Sequence, residues 1–440
     1  MNSCYKIYAA MIQTRIANTI DRYLQRTQYG FRKSRSTVIP LACVRRIIER
    51  AEATKSQLHV VFLDWEKAFD KIDHEQLMWA LDKLGFPRVF MDTIRALYNN
   101  PQFAVRIDGK CSSWRTQHRG IRQGCPLSPY LFLCVMHILF EEVHDEINVK
   151  RGTVEGLDYT ELVYADDTAL ITNNVTTMNK HLAAIEKHAR VFGLNFNKSK
   201  CVSMGFHSHQ HPKFGNGDFV PTQDKAVYLG GLINAKHDVK PEISAKIGSC
   251  FAVLNRLNFF WGKANCPKTF KLLVFDAAIR AKLVYGLDTV AIPPNLMAKL
   301  NVFQLKGLRK ILGLKTTFID RANSNKEVFR QANAERNPNG EPNKEIRSFQ
   351  SYVEYKQEAL LKHLVRADEN DPLKMATFEP DTVVPRIYVK RRVGRPRKEW
   401  TVEAYKRLYL KHNYGTEDTW KIDSYANILK LITPIRNRQI

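Results

Sequence analysis

Residues 161–174 read ELVYADDTALITNN, and the meaning of this stretch decides the fold. Leu162, Val163 and Tyr164 lead into it as strand formers, and Thr168, Ala169, Leu170 and Ile171 lead out. Between them stand two adjacent aspartates, Asp166 and Asp167. Aspartate is depleted in strands, and neighbouring carboxylates repel each other. A bare Asp-Asp pair is most simply a solvated turn, but such a turn would favour Gly or Asn. Apolar flanks on both sides predict instead a tight hairpin that holds two carboxylates together. A third carboxylate at a strand end would complete a site for hard divalent cations. Mg²⁺ prefers oxygen ligands and takes one or two carboxylates, with substrate phosphates filling other positions. Two such ions about 4 Å apart can activate a hydroxyl and stabilise a departing pyrophosphate.

Working outward, QLHVVFLD ends on an acid at Asp64 and has the apolar, β-branched character of a buried strand. Residues 38–54 carry helical apolar spacing. Two more helices follow Asp64, the first ended by Gly85 and the second opened by Pro87. QFAVRIDGKCSSWRTQHRG alternates around Asp108-Gly109, a hairpin turn signal. A long apolar helix is expected over 129–147, a helix over 176–193, and short strands in CVSMGF and AVYLGGLI. Strands and helices mixed without regular βαβ alternation imply an α+β fold. After Pro241 the chain reads as nearly all helical to residue 315. A polar stretch over 323–345 reads as a linker or large loop, and a helix is expected over 347–368.

Composition narrows the function. At 440 residues the chain has room for two or three domains. With 68 Lys+Arg against 44 Asp+Glu its formal charge is +24, which points to a polyanionic partner, nucleic acid before membrane. The apolar run YLFLCVMHILF is too short to span a bilayer, and no secretory signal pattern opens the chain. An intracellular location is expected, nuclear in a eukaryotic host. The eight cysteines form no C-x-x-C pair, so neither a zinc knuckle nor a disulfide scaffold is indicated.

Together these stretches carry a family resemblance. YADD at 164–167 resembles the catalytic hairpin of reverse transcriptases, and VVFLDWEKAFDKIDHEQL at 60–77 resembles their first catalytic strand. RGIRQGCPLSPYLF at 119–132 is similar to the motif between them, and GLNFNKSKC and VYLGGLI to the two that follow. DWEKAFD and GFRKSRST are most similar to non-LTR, LINE-like retrotransposon enzymes. The resemblance implies a right-hand polymerase: partial fingers over 1–59, palm over 60–235, helical thumb over 236–320. A linker over 321–346 and a basic helical extension over 347–440 would follow. It implies Asp64, Asp166 and Asp167 as ligands of two Mg²⁺ ions, with Mn²⁺ as an alternative. The implied partners are an RNA template, a DNA primer and dNTPs.

Other roles come from the same resemblance. Phe69 would exclude the 2′-hydroxyl, and Gln123 and Gly124 would contact the nucleotide. Lys200 would serve as a general acid toward pyrophosphate, and Tyr228, Leu229 and Gly230 would grip the primer. Read alone, Phe69 is a core aromatic and Lys200 a solvated lysine. The chain opens where the family has passed its first finger strands, which implies N-terminal truncation. Arg32, Lys33 and Arg35 would then supply part of the nucleic-acid contact. Arg395 lies within, and Arg392 and Arg397 flank, a GRP core at 394–396 similar to an AT-hook, although a basic run also suits plain phosphate contact or a nuclear localisation signal. His207, His209 and His211 alternate as metal ligands can, or as an exposed loop. The rival readings are a group II intron-type maturase and an inactive nucleic-acid-binding remnant.

Overall fold

A computed structural model describes residues 2–147, 153–236, 238–341, 344–386, 398–412 and 415–416. The chain forms two compact units, Met1–Leu229 with Asp371–Ala376, and Gly230–Asn370 with residues from 377 onward. The α+β expectation holds.

Four antiparallel strands carry the first unit: β1 (Leu58–Leu63), β2 (Glu161–Tyr164), β3 (Asp167–Thr172) and β4 (Val202–Phe206). Their order is β2-β3-β1-β4. All six residues of β1 are buried, which explains why LHVVFL shows no polar alternation. Val61, Leu63, Val163 and Leu170 share one core with the helices Ser128–Ile147 and Val175–Val191. On the opposite face Val60, Phe62, Ala169 and Ile171 are equally buried. There Phe62 packs against Tyr228, with ring centroids 5.0 Å apart.

The second unit is helical. Lys240–Arg256, Lys268–Phe275, Pro294–Leu312 and Phe349–Arg366 surround a core that contains the fully buried Trp261. One expectation is corrected here. The supposed linker over 321–346 contains the helix Asn325–Arg336, with Val328 and Ala332 in that core. Ser324 accepts the Glu327 amide at 3.2 Å. Ser-x-x-Glu is a helix-start signal, but the fully buried stripe that follows is only Val328 and Ala332, with Phe329 beside it, too narrow to stand out from polar neighbours.

The C-terminal extension is also not one separate block. Asp371–Ala376 belongs to the first unit. There Tyr159 Oη donates to the Pro372 carbonyl at 3.0 Å, and Asp371 pairs with Arg35 at 3.6 Å. No sequence period announces such a return of the chain. Arg392, Arg395 and Arg397 lie outside the described residues.

Candidate active site

Strand register collects the acids. Tyr164 pairs with Asp167, so Ala165 and Asp166 form a two-residue turn, and Leu63 pairs with Thr168. One step further along the same register puts Asp64 beside Asp167. Ala165 has φ of 58°, the left-handed conformation that two-residue hairpin turns require. Asp166 and Asp167 are exposed, and Asp64 is half-buried.

Asp64 is held through its backbone. Its N–H donates to Cys201 Sγ at 3.5 Å, and its carbonyl accepts the Asn197 amide at 2.8 Å. Trp65 packs on Phe196 at 4.8 Å and donates from Nε1 to Thr168 Oγ1 at 3.4 Å. The turn that carries Lys200 is therefore tied to the strand end that carries Asp64. The Lys200 side chain is exposed.

The three carboxylates feel one another. Although Asp167 as a residue is open to solvent, partial desolvation of its carboxyl pushes it up to about 6, and the charges of Asp166 and Asp64 push in the same direction. A carboxyl raised in the folded state favours folding below its unfolded value of about 4 and loses that advantage as pH rises through about 6. In EDTA, the stability difference between the unmodified chain and Asp167→Asn is therefore expected to shift toward the variant from pH 4 to 6. Thermal unfolding of both chains across that range checks it, and parallel curves would refute it.

Among the described residues no group of three or more His, Cys, Asp or Glu side chains is arranged to hold an ion as it stands. The acids still fit Mg²⁺, which takes few carboxylates and completes its shell with water and phosphate oxygens. A cation would also relieve the repulsion felt at Asp167.

A second set of bonds joins the two remaining motifs. Gly120 N–H donates to the Ile72 carbonyl and Ile121 N–H to the Phe69 carbonyl, both at 2.7 Å. Gln123 Nε2 donates to Asp70 Oδ1 at 2.9 Å. A Cβ on Gly120 would stand 2.5 Å from the Asp70 carbonyl oxygen, so only glycine allows this approach. Gly124 is exposed with φ of 75°. Phe69 is half-buried, stacked on Phe132 at 4.7 Å and edge-on to Phe31 at 6.1 Å.

Two expected contacts are corrected. Arg32 is turned inward: Nε donates to Asp21 Oδ1, Nη1 to the Gln25 and Gln28 carbonyls, and Nη2 to the Asp21 carbonyl. Its guanidinium is committed to bracing the turn, while Lys33 is exposed and Arg35 faces Asp371. Tyr228 is likewise buried, with its hydroxyl on the Leu162 carbonyl at 3.5 Å and its pKa far above the ordinary value because of burial. Leu229 and Gly230 form the turn beyond it, with φ of 47° and 74°. The alternating histidines do not converge. His207 pairs with Glu52 at 3.1 Å and His211 bonds Thr222 at 3.0 Å, which is the loop reading.

One site residue had no signal in the acids themselves. Tyr29 N–H donates to the Val163 carbonyl at 2.8 Å, and Val163 N–H to the Thr27 carbonyl at 2.9 Å, so this segment runs along β2. It brings Gly30 against the turn that carries Asp166: a Cβ there would lie 2.2 Å from the Ala165 nitrogen. The Gly30-Phe31 pair opening GFRKSRST was the only sequence hint.

Residues 1–233 match the family described as Reverse transcriptase (RNA-dependent DNA polymerase). The chain belongs to that family. It is 25% identical over 321 residues to an RNA-directed DNA polymerase from mobile element jockey of Drosophila funebris, covering 70% of this chain and 34% of that protein. It is 26% identical over 211 residues to a Pol polyprotein from the R2 retrotransposable element of Nasonia vitripennis, covering 45% of this chain and 20% of that one. These relatives come from non-LTR mobile elements, so the LINE-like reading holds. The chain thus spans about a third or less of their length. Apo telomerase from Candida tropicalis aligns at a TM-score of 0.41 with 10% identity, over 97% of this chain and 61% of that one. The fold assignment rests on the register above and not on that likeness. Among the described residues no helix is long and apolar enough to cross a membrane.

Proposed function

We propose that this chain adds deoxynucleotides to a primer 3′-hydroxyl on an RNA template, within the nucleus where the host is eukaryotic. The observation that carries this reading is the register that sets Asp64 beside the Asp166–Asp167 turn. Asp64, Asp166 and Asp167 would hold Mg²⁺, and Mn²⁺ has the same oxygen preference. Bound there, divalent ions supply an activated hydroxyl and charge stabilisation at the departing pyrophosphate. The protein's own residues act by position. The Phe69 ring, braced on Phe132, forms a wall where a sugar would lie. Gln123, whose side-chain amide is held by Asp70, is the candidate nucleotide contact together with Gly124. Lys200, on a turn fastened to Asp64, is the candidate proton donor to the leaving group, and the Leu229–Gly230 turn the candidate primer contact.

Primer extension by the purified chain on an RNA template tests the proposal. Mg²⁺-dependent addition of dNTPs, lost with EDTA, is expected; tight binding with no addition would refute it. Phe69→Val should raise the ratio of ribonucleotide to deoxynucleotide incorporation at least about tenfold, the discrimination that a few methylene groups exert in a pocket. An unchanged ratio in an active variant would make Phe69 a packing residue only.

A further inference from the structure

Residues 101–117 form a ribbon outside the acid site. Gln102 pairs with Thr116 and Phe103 with Arg115; farther out Arg106 pairs with Cys111 and Ile107 with Lys110. Asp108 and Gly109 turn the tip with φ of 48° and 80°. At the base Gln117 N–H closes on the Pro101 carbonyl at 2.7 Å. Between the two paired segments, residues 112–114 face only 104–105. That one extra residue makes a bulge, and bulges re-aim side chains.

Its surface is unusual. Phe103 is 46% exposed, Val105 51%, Ile107 66% and Trp114 70%. Single exposed apolar residues are ordinary, but four on one short ribbon mark a contact surface. Cross-strand pairing sets Arg115 opposite Phe103 and Lys110 opposite Ile107, so each of these exposed apolar side chains has a cation beside it. Neither cation has an acidic partner among the described residues, and Asp108 is the sole acid between 101 and 117.

We infer that this ribbon binds single-stranded nucleic acid, with bases stacked on its exposed aromatics Trp114 and Phe103 and phosphates met by Lys110 and Arg115. Charge selects the partner class: unpaired cations on a chain of +24 fit a polyanion. The aromatics select the strand state, because unpaired bases offer faces that a duplex keeps stacked inward. Along the chain the ribbon leads directly into Gly120 and Gln123, two residues of the candidate site. Calling the bound strand the template rests on the polymerase reading; binding it does not.

The test is fluorescence anisotropy of the full chain with oligo-dT and oligo-U of about 20 nucleotides, longer than typical single-strand site sizes. Trp114→Ala should weaken both about tenfold or more, the size of one lost base stack, and Trp114→Phe should retain most of the affinity. Lys110→Gln with Arg115→Gln should reduce the log–log salt slope by about 1.4, or about 0.7 per phosphate contact. Duplex affinity should change less than about twofold in Trp114→Ala and Trp114→Phe, since duplex contacts are mostly to phosphate. Unchanged single-strand affinity in Trp114→Ala would overturn the inference. So would sedimentation showing that Trp114→Ala abolishes self-association while oligonucleotide binding persists, because the ribbon would then join copies of the chain. Primer extension separates this inference from the function proposed above. Trp114-dependent binding without extension would sink the polymerase alone, and extension with Trp114-independent binding would sink the ribbon alone.

Discussion

Asp167→Asn is expected to abolish Mg²⁺-dependent primer extension while leaving duplex binding intact. The substitution keeps the side-chain shape and removes one charge from the trio set together by the β1–β3 register. Charge stabilisation by a bound metal contributes several kcal/mol, and each ~1.4 kcal/mol is tenfold in rate, so the loss should exceed about a thousandfold. Duplex affinity depends on phosphate contacts elsewhere and should hold or tighten slightly, because a negative charge is removed. Single-turnover extension and anisotropy on the same preparation measure both. Residual extension within tenfold of the unmodified chain would mean that Asp167 is no ligand. Loss of binding together with extension would mean that the acids organise the fold instead of the chemistry.

Gly30→Ala is the second large effect expected, and it touches none of the acids. The added methyl would meet the Ala165 nitrogen at 2.2 Å, so the backbone of the turn or of residue 30 must move by about an ångström. Misplacement on that scale costs about a hundredfold in positioning-dependent catalysis. Extension should fall by about that factor, with duplex affinity unchanged. Gly248→Ala is the control, since that glycine lies within the helix Lys240–Arg256 and a methyl added there would meet nothing within 4 Å. It should be neutral or slightly stabilising, because alanine is the better helix former. Equal activity of the two variants would remove Gly30 from any role at the turn.

Local pattern carried much of this protein. The unbroken apolar run before Asp64, the apolar flanks of Asp166 and Asp167, and the Asp108-Gly109 turn each specify a strand or hairpin from neighbouring residues alone. Once the strands form with their apolar faces inward, pairing register follows from the period of two, and the acids meet at one edge. Where polar side chains go is a different matter. Arg32 and Tyr228 have the residue types of nucleic-acid contacts, yet bonds to Asp21 and Leu162 turn them inward. That choice depends on which carbonyls and carboxylates the fold leaves unpaired nearby. The helix Asn325–Arg336 needed neighbours to cover Val328 and Ala332 before it was more than a polar stretch. The fit of Gly30 against Ala165, and the return of Asp371–Ala376 to Tyr159, join residues more than 100 positions apart. Sequence alone therefore determined the strands, the acids that the register brings together and the charge. Only tertiary structure decided which backbones touch, because close approach between distant segments leaves no periodic trace in either one.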